Sequence, residues 1–436
     1  MGLLEDRLSR RDFLVSSAAA LAASLAARAE AQAPAVAAKA DPFRFGIIGS
    51  GGQGRGALMN AALRIPGVSF TAVCDIRDDN RTEGLKVAGA QAKGFVDYRD
   101  FLDKAEVDAV IIATPLSTHS QIAIAAFDAG KHVFCEKTMA RSIDECKAML
   151  RAQKRAGKLL QIGHHLRYSP LYAHAKNFIA SGVIGRIVNV KAQWNRHGDW
   201  RRPEPKGAFD FGKWGYSTPS QLFNWRLYQQ FSGGLMTELA SHQTDVMNWV
   251  LNATPTAITG VGGLDYYKDG RTVYDNVHVV YEYPDGIKFS YESLTANQQS
   301  PYGEAYEMIQ GDKGTLVLSN VPKSRGLLFM EPKAQGPEWA QFAGKTEVNG
   351  QTAVTLDAAR SPGQSVRIPG QDVFVAEGAK STYQLELEDF IQCVRTGKQP
   401  FCNGEVGIRS ATPALVALEA MQKQTRIAIP SDFYEA

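Results

Sequence analysis

Glu238, His242 and Asp245 form the densest chemical constellation in the chain. They lie in the run Gly233-Gly234-Leu235-Met236-Thr237-Glu238-Leu239-Ala240-Ser241-His242-Gln243-Thr244-Asp245. On a helix, residues three or four apart are neighbours, so both acids fall close to the imidazole. An imidazole oriented by a carboxylate is a general acid/base unit, suited to moving a proton on or off a hydroxyl. The other reading is a half-buried helix whose histidine makes a core contact. The motif alone does not separate the two.

A second constellation says what such a proton transfer would serve. Gly49, Gly51 and Gly54, with Ser50 and Gln53 between them, have the spacing G-x-G-x-x-G. Phe45 to Ile48 before them reads as a buried strand. After them, Ala57, Leu58, Ala61, Ala62 and Ile65 make the apolar face of a helix. The first glycine permits a tight turn, the second lets backbone approach a pyrophosphate, and the third lets helix and strand pack closely. Phosphates would sit at the helix N-terminus, where free N–H groups and the dipole favour an anion. The next apolar run, Val68 to Cys74, ends in Asp75, 21 residues beyond Gly54. An acid there is placed to accept hydrogen bonds from a ribose 2′-hydroxyl, which predicts NAD rather than NADP. Arg77 is the residue that would instead greet a 2′-phosphate.

These residues need a scaffold, and the rest of the pattern supplies one. Residues 43–165 alternate strands and helices, predicting an α/β Rossmann domain with a parallel sheet. Expected strands include Phe95-Val96, Val107–Ala113, His132–Cys135 and Leu159–Gly163. Expected helices are Asp78–Gln91, Ser117–Ala129 and Ser142–Ala156. Ligands in such sheets bind past the carboxyl ends of strands. Gly49, Asp75, Thr114, Glu136 and His164 all fall there. Residues 166–436 predict an α+β domain with an open, mainly antiparallel sheet. Its strands are expected at Ile184–Trp194, Ala257–Leu264, Asn276–Tyr283, Ile287–Leu294, Tyr306–Gln310 and Thr315–Leu318. Asp285-Gly286 signals a hairpin. Residues 195–224 read as a long loop and 320–380 as irregular. Helices are expected at Ser169–Ala180, Tyr383–Arg395 and Val406–Gln424, the last packing back on the first domain.

The glycine loop, Asp75, Ala113-Thr114-Pro115 with His119, Glu136-Lys137 and His242 resemble the glucose–fructose oxidoreductase / inositol dehydrogenase / rhizopine catabolism (Gfo/Idh/MocA) family. The likeness runs through nearly all of the chain beyond its N-terminal segment. It implies an NAD(P)-dependent oxidoreductase acting on a sugar or cyclitol hydroxyl. Two departures stand out. Thr138 replaces the proline that follows Glu-Lys in the family, and Glu238 replaces the aspartate of its D-x-x-x-H motif. The resemblance implies His242 as the base, with Lys137 hydrogen-bonded to the reacting oxygen. Glu238 would orient His242 or bind a second hydroxyl. Thr114, Pro115, His119, Glu136, Lys137, His165 and Arg167 join the glycine loop, Asp75 and Arg77 as nucleotide contacts. Asp245 is expected to touch substrate. The resemblance also implies homo-oligomers built on the second-domain sheet.

Four of the six tryptophans fall at 194, 200, 214 and 225. Aromatic faces among planar polar groups suit sugars, which have apolar faces and many hydroxyls. Trp200, Trp225 and Arg226 are the candidates nearest the site. A core or interface role competes for each tryptophan.

The bulk numbers narrow the class. Net charge is +3 over 436 residues, too small to point to nucleic acid. The five cysteines show no C-x-x-C and no metal-ligand spacing, so no metal is expected. Ser9-Arg10-Arg11-Asp12-Phe13-Leu14 resembles a twin-arginine export signal. An Ala-rich run too short to span a membrane follows, then Ala29-Glu30-Ala31 as a cleavage site. The expected division is 1–31 signal peptide, 32–42 linker, then the two domains. The mature chain would lie in the periplasm or outside the cell, with no stable membrane insertion. Export in the folded state implies a tightly held nucleotide returned to its starting redox state each cycle. That leaves a second reading open: a glycoside hydrolase working by transient oxidation, elimination, hydration and re-reduction. A nucleotide-bound sugar sensor is a third, and Lys137 together with His242 argues against it.

Overall fold

Short apolar runs ending in small residues build the first sheet. Its strands are β1 (Phe43–Ile48), β2 (Val68–Cys74), β3 (Lys93–Phe95), β4 (Ala109–Ile112), β5 (His132–Glu136) and β6 (Leu160–Gly163). All pairings are parallel, in the order β3-β2-β1-β4-β5-β6. The strand order reverses between β1 and β4, where ligands of doubly wound sheets bind. Ile48 is in register with both Cys74 and Ile112. One edge of the sheet therefore delivers Gly49, Asp75 and Ala113 together.

The computed structural model describes residues 42–204, 209–321, 325–334, 336, 344–356 and 380–436. The expected export signal at Arg10-Arg11, its cleavage site and the linker up to residue 41 lie outside the described residues. Among those described, no helix is long and apolar enough to cross a membrane.

Crossover helices cover both faces of the sheet. Ile143–Ala156 shows how the sequence fixes their ends: Ser142 caps it by accepting from Glu145 N at 3.2 Å, and Gly157 ends it in the left-handed region. Ser117 does not cap the preceding crossover helix. A 3-10 turn at Leu116–Thr118 leads into His119–Asp128 instead.

Among the described residues the second sheet has ten strands. At its centre β7 (Ile187–Trp194) runs parallel to Lys288–Leu294 and antiparallel to Ala305–Gly311. Every other pairing is antiparallel. Asp285-Gly286 makes the expected hairpin, with both residues at positive φ. The region expected to be irregular is corrected by three strands, Arg325–Met330, Lys345–Val348 and Gln351–Leu356. Asn349 and Gly350 turn the last pair at positive φ, a hairpin signal as strong as Asp285-Gly286.

Two C-terminal helices return to the first sheet. In Thr382–Thr396, Phe390 stacks on Phe45 at 6.1 Å and meets Phe134 edge-on at 6.0 Å. In Gly404–Lys423, a Cβ on Gly407 would lie 2.4 Å from Ile162 Cγ1. Only glycine lets that helix approach β6 so closely.

Candidate active site

The glycine loop after β1 is packed too tightly for side chains. A Cβ on Gly54 would lie 2.0 Å from the Gly49 carbonyl, and Gly49 itself has φ +93°. The helix that follows, Gly52–Met59, starts with N–H groups that have no intrahelical partner. Asp75 braces the loop by accepting from Ser50 N and from Arg77 N, each at 2.9 Å. Burial pushes the Asp75 carboxyl up to about 6, against these hydrogen bonds and the nearby Arg77 charge. Ser50 is fully buried, and its hydroxyl donates to Asn80 O at 2.9 Å. It holds the loop and does not line the cleft.

That cleft has a volume of about 460 Å³, with Gly49, Gly51, Asp75, Thr114 and Pro115 in its walls. Arg77 also lines it, but pairs with Asp79 and lies 4.2 Å from the Phe223 ring. Phe223, Trp214 and Tyr216 close the far wall; the region expected as a long loop is corrected here by a 3-10 turn, Gly212–Trp214, and a short helix, Pro219–Phe223, which Thr218 caps. The bare loop, the N–H donors and the acid together fit a dinucleotide.

A second cavity of about 650 Å³ abuts the first, and Gln53, Thr114, Trp225 and Arg226 line both. Lys137, Glu238, His242, His165 and Trp200 line the second. Lys137 leaves the end of β5, and its Nζ donates to Glu238 O at 2.8 Å and Thr237 O at 3.4 Å. The Lys137–Thr138 peptide is cis. Thr138, in the place of the expected proline, donates its hydroxyl to Thr237 O at 2.8 Å. Glu136 accepts from Gln53 Nε2 at 2.7 Å and from Lys137 N at 3.1 Å. Burial lowers the Lys137 amine and raises the Glu136 carboxyl, each opposed by the other's charge.

The helix carrying His242 begins where Gly233-Gly234 lets the chain turn. Thr237 Oγ1 accepts from Gly233 N at 2.9 Å, and Ser232 Oγ from Gly234 N at 3.0 Å. A π turn, Met236–Ala240, precedes the α-helix Ser241–Leu251. Such turns recur at functional sites. His242 packs between Trp194 at 5.4 Å and His165 at 5.1 Å, ring centre to ring centre. Burial, reinforced by Lys137, His165, His164 and Arg196, holds its imidazole well below 6.5 and therefore neutral. A neutral imidazole beside a buried ammonium can accept a proton from a hydroxyl bound between them.

The two acids near His242 are otherwise engaged. Glu238 accepts from Arg226 Nε at 3.0 Å and from Ser232 Oγ at 3.1 Å, not from His242. Burial would raise its carboxyl, but Arg226 and Lys137 outweigh that and keep it ionised. Asp245, expected at the substrate, is buried behind the helix. It accepts from Arg167 Nε at 2.9 Å and from Ser410 Oγ at 2.5 Å. Arg167, expected at the nucleotide, is the buried partner of that pair and lines neither cavity. Three residues beyond His242, the helix has turned Asp245 toward the last long helix and away from the cavity.

The remaining candidates divide. His165 lines the cavity and hydrogen-bonds Thr382 Oγ1 at 3.0 Å, and burial lowers it to about 3. His164 is buried behind it. His119 faces Thr114 O and Thr138 O, each at 3.0 Å, and so ties the segment after β4 to that after β5. Trp225 lies under the Arg226 guanidinium at 4.1 Å.

Arg196, one of the planar polar groups around the tryptophans, was not singled out from the sequence, and Arg202 was missed. Arg202 lines both cavities, and a Cβ on Gly52 would lie 3.5 Å from its Nη1. Its backbone is pinned by Asn224, whose Oδ1 accepts from Arg202 N at 2.6 Å. Its guanidinium therefore stands over the glycine loop from the other domain. No spacing rule links residues 52 and 202.

Comparison with known proteins agrees with this geometry. Residues 43–164 match the NAD-binding Rossmann fold of the Gfo/Idh/MocA oxidoreductases, and residues 176–429 match their C-terminal alpha/beta domain. The chain is 32% identical over 211 residues to inositol 2-dehydrogenase of Salmonella typhimurium, covering 48% of this chain and 55% of that enzyme. It thus spans about half the length of that relative. It is 25% identical to scyllo-inositol 2-dehydrogenase (NAD(+)) of Bacillus subtilis over 84% of this chain and 92% of that one. In fold it is similar to levoglucosan dehydrogenase in complex with NADH and levoglucosan (TM-score 0.68, 21% identity, 90% of this chain and 100% of that one). It is similar also to aldose-aldose oxidoreductase from Caulobacter crescentus (TM-score 0.66, 19% identity, 89% and 100%). With both family models matched in order and the two clefts meeting where their domains join, the chain belongs to the Gfo/Idh/MocA oxidoreductase family.

Proposed function

We propose that this protein is an NAD-dependent oxidoreductase acting on a hydroxyl of a sugar or cyclitol. One observation carries the reading: a neutral His242 and the Lys137 ammonium share a cavity that opens on the cleft of the glycine loop. A bound nicotinamide dinucleotide supplies a hydride acceptor there. Gly49 to Gly54 hold its phosphates and Asp75 its ribose. His242 takes the hydroxyl proton, and Lys137 steadies the negative charge that grows on the oxygen. Trp200 and Trp225 offer apolar faces to the ring, and Arg226 keeps Glu238 ionised as a hydroxyl acceptor. Purified protein, loaded with NAD and offered a panel of aldoses and inositols, should form reduced nicotinamide with at least one. None formed with any of them would contradict the reading.

We propose further that the nucleotide is held through the cycle. Arg202 and the aromatic wall from the second domain support this, since both stand over the cleft. So does the twin-arginine segment, because an exported enzyme has no pool of NAD to exchange with. Replacing Arg10 and Arg11 with lysine should leave the chain in the cytoplasm, and unchanged export would contradict that route. Retention favours a closed redox cycle, completed on a second sugar or by cleavage of the same one. Release of an aryl group from glycosides without added NAD distinguishes the second route. The second-domain sheet, with Val188 and Val261 exposed, is the proposed oligomer face, to be tested by light scattering.

A further inference from the structure

The cavity around His242 carries more positive charge than its own acids use. Five cations and two carboxylates line it. Arg226 is paired with Glu238 and Arg201 with Asp269. Lys137 is anchored on two carbonyls, with Glu238 and Glu136 the nearest charges that favour it. Arg202 stands over the glycine loop, where a diphosphate would take it. Arg196 is left over.

Arg196 follows β7 and lies between two aromatic rings, 5.5 Å from the centre of Trp194 and 5.7 Å from that of Trp200. Its backbone N is fixed on Leu294 O at 2.8 Å. Among the described residues, no acid is hydrogen-bonded to its guanidinium, and its Nε is buried without a partner. It lines the same cavity as His242 and Lys137. Burial lowers its own pKa; Glu304, the nearest charge that favours it, opposes this without a hydrogen bond, and Arg226 adds to the lowering. A cation half removed from water, with no acid hydrogen-bonded to it, is costly unless the ligand supplies the charge. Guanidinium recognises carboxylate with paired, charge-assisted hydrogen bonds.

We infer that the substrate is an acidic sugar, a hexuronate or its glycoside, whose carboxylate pairs with Arg196 while a ring hydroxyl lies between Lys137 and His242. The inference rests on the oxidoreductase reading for the hydroxyl and on Arg196 alone for the carboxylate. A single unpaired guanidinium matches a single negative charge.

The test is calorimetric titration of the NAD-loaded protein with D-glucuronate, D-galacturonate, D-glucose and D-galactose, repeated on Arg196→Gln and Arg196→Lys. At least one uronate should bind ~100-fold more tightly than its neutral hexose, the scale expected of a desolvated charge pair. That preference should fall within about threefold of unity in Arg196→Gln and be partly kept in Arg196→Lys, which retains the charge but not the fork. Equal binding of uronate and hexose by the wild type would overturn the inference, whatever the variants do. So would a uronate preference that survives Arg196→Gln. Absorbance of reduced nicotinamide in the same mixtures separates the two claims. Reduction by neutral hexoses without uronate preference sinks the carboxylate site and leaves the oxidoreductase. Tight uronate binding with no reduction does the reverse.

Discussion

Lys137 Nζ donates to the backbone carbonyl of Glu238 at 2.8 Å, so the residue just past β5 is tied to the π turn that leads into the helix of His242. The tie crosses 101 residues of sequence and joins the two halves of the proposed proton-transfer pair. It uses a main-chain acceptor, so it does not depend on which acid stands at position 238. Lys137→Met should therefore loosen the geometry and remove the charge that steadies the reacting oxygen. Turnover is expected to drop at least ~100-fold while bound NAD is retained, since the phosphates sit elsewhere. Nucleotide content by absorbance after denaturation, beside steady-state rates, checks both parts.

Arg202→Gln should loosen the nucleotide and leave the chemistry intact. A charge-assisted contact to a diphosphate is worth about 1.5–3 kcal/mol, so the dissociation constant for NAD should rise roughly tenfold or more. Fluorescence titration of stripped protein measures it. An unchanged constant would show that the guanidinium faces away from the phosphates.

Acid should release the nucleotide before it harms the base. Asp75 is raised to about 6 by burial in the free protein. Only its ionised form accepts freely from ribose hydroxyls, so affinity should weaken as pH falls below about 6, and Asp75→Asn should flatten that dependence. His242 shifts the other way: burial and the facing Lys137, His165, His164 and Arg196 keep it neutral well below pH 6.5. With nucleotide saturating, the acid limb of kcat should therefore lie below pH 6.5.

Asp245→Asn should cost stability, not substrate affinity. Removing one partner of the buried Asp245–Arg167 pair leaves an unpaired charge, an expected loss of about 3–5 kcal/mol. Chemical denaturation measures it. A raised KM with unchanged stability would restore the substrate role expected of it.

The contrast between Asp245 and His242 marks how far the sequence could be read. Local motifs carry local geometry, so the glycine loop, the acid after β2 and the Glu136-Lys137 strand end all stand on one edge of the sheet as expected. His242 reaches the cavity as its helix period requires. Asp245 shares that helix, but its partners lie 78 and 165 residues away, beyond any spacing rule. Arg202 was equally hidden, because a loop's reach across domains leaves no periodicity. The strands after residue 320 were hidden for another reason: they are short, four to six residues, and their apolar alternation is weak. Their Asn349-Gly350 turn was the usable signal.

The central claim is that His242 takes a proton from a sugar hydroxyl as hydride leaves the same carbon. Rapid mixing of NAD-loaded protein with its sugar, followed at the absorbance of reduced nicotinamide, tests it most directly. Wild type should form reduced nicotinamide within the first turnover, and His242→Ala at least ~100-fold more slowly. Turnover of sugar by the wild type with no reduced nicotinamide formed, or an undiminished rate in His242→Ala, would contradict it.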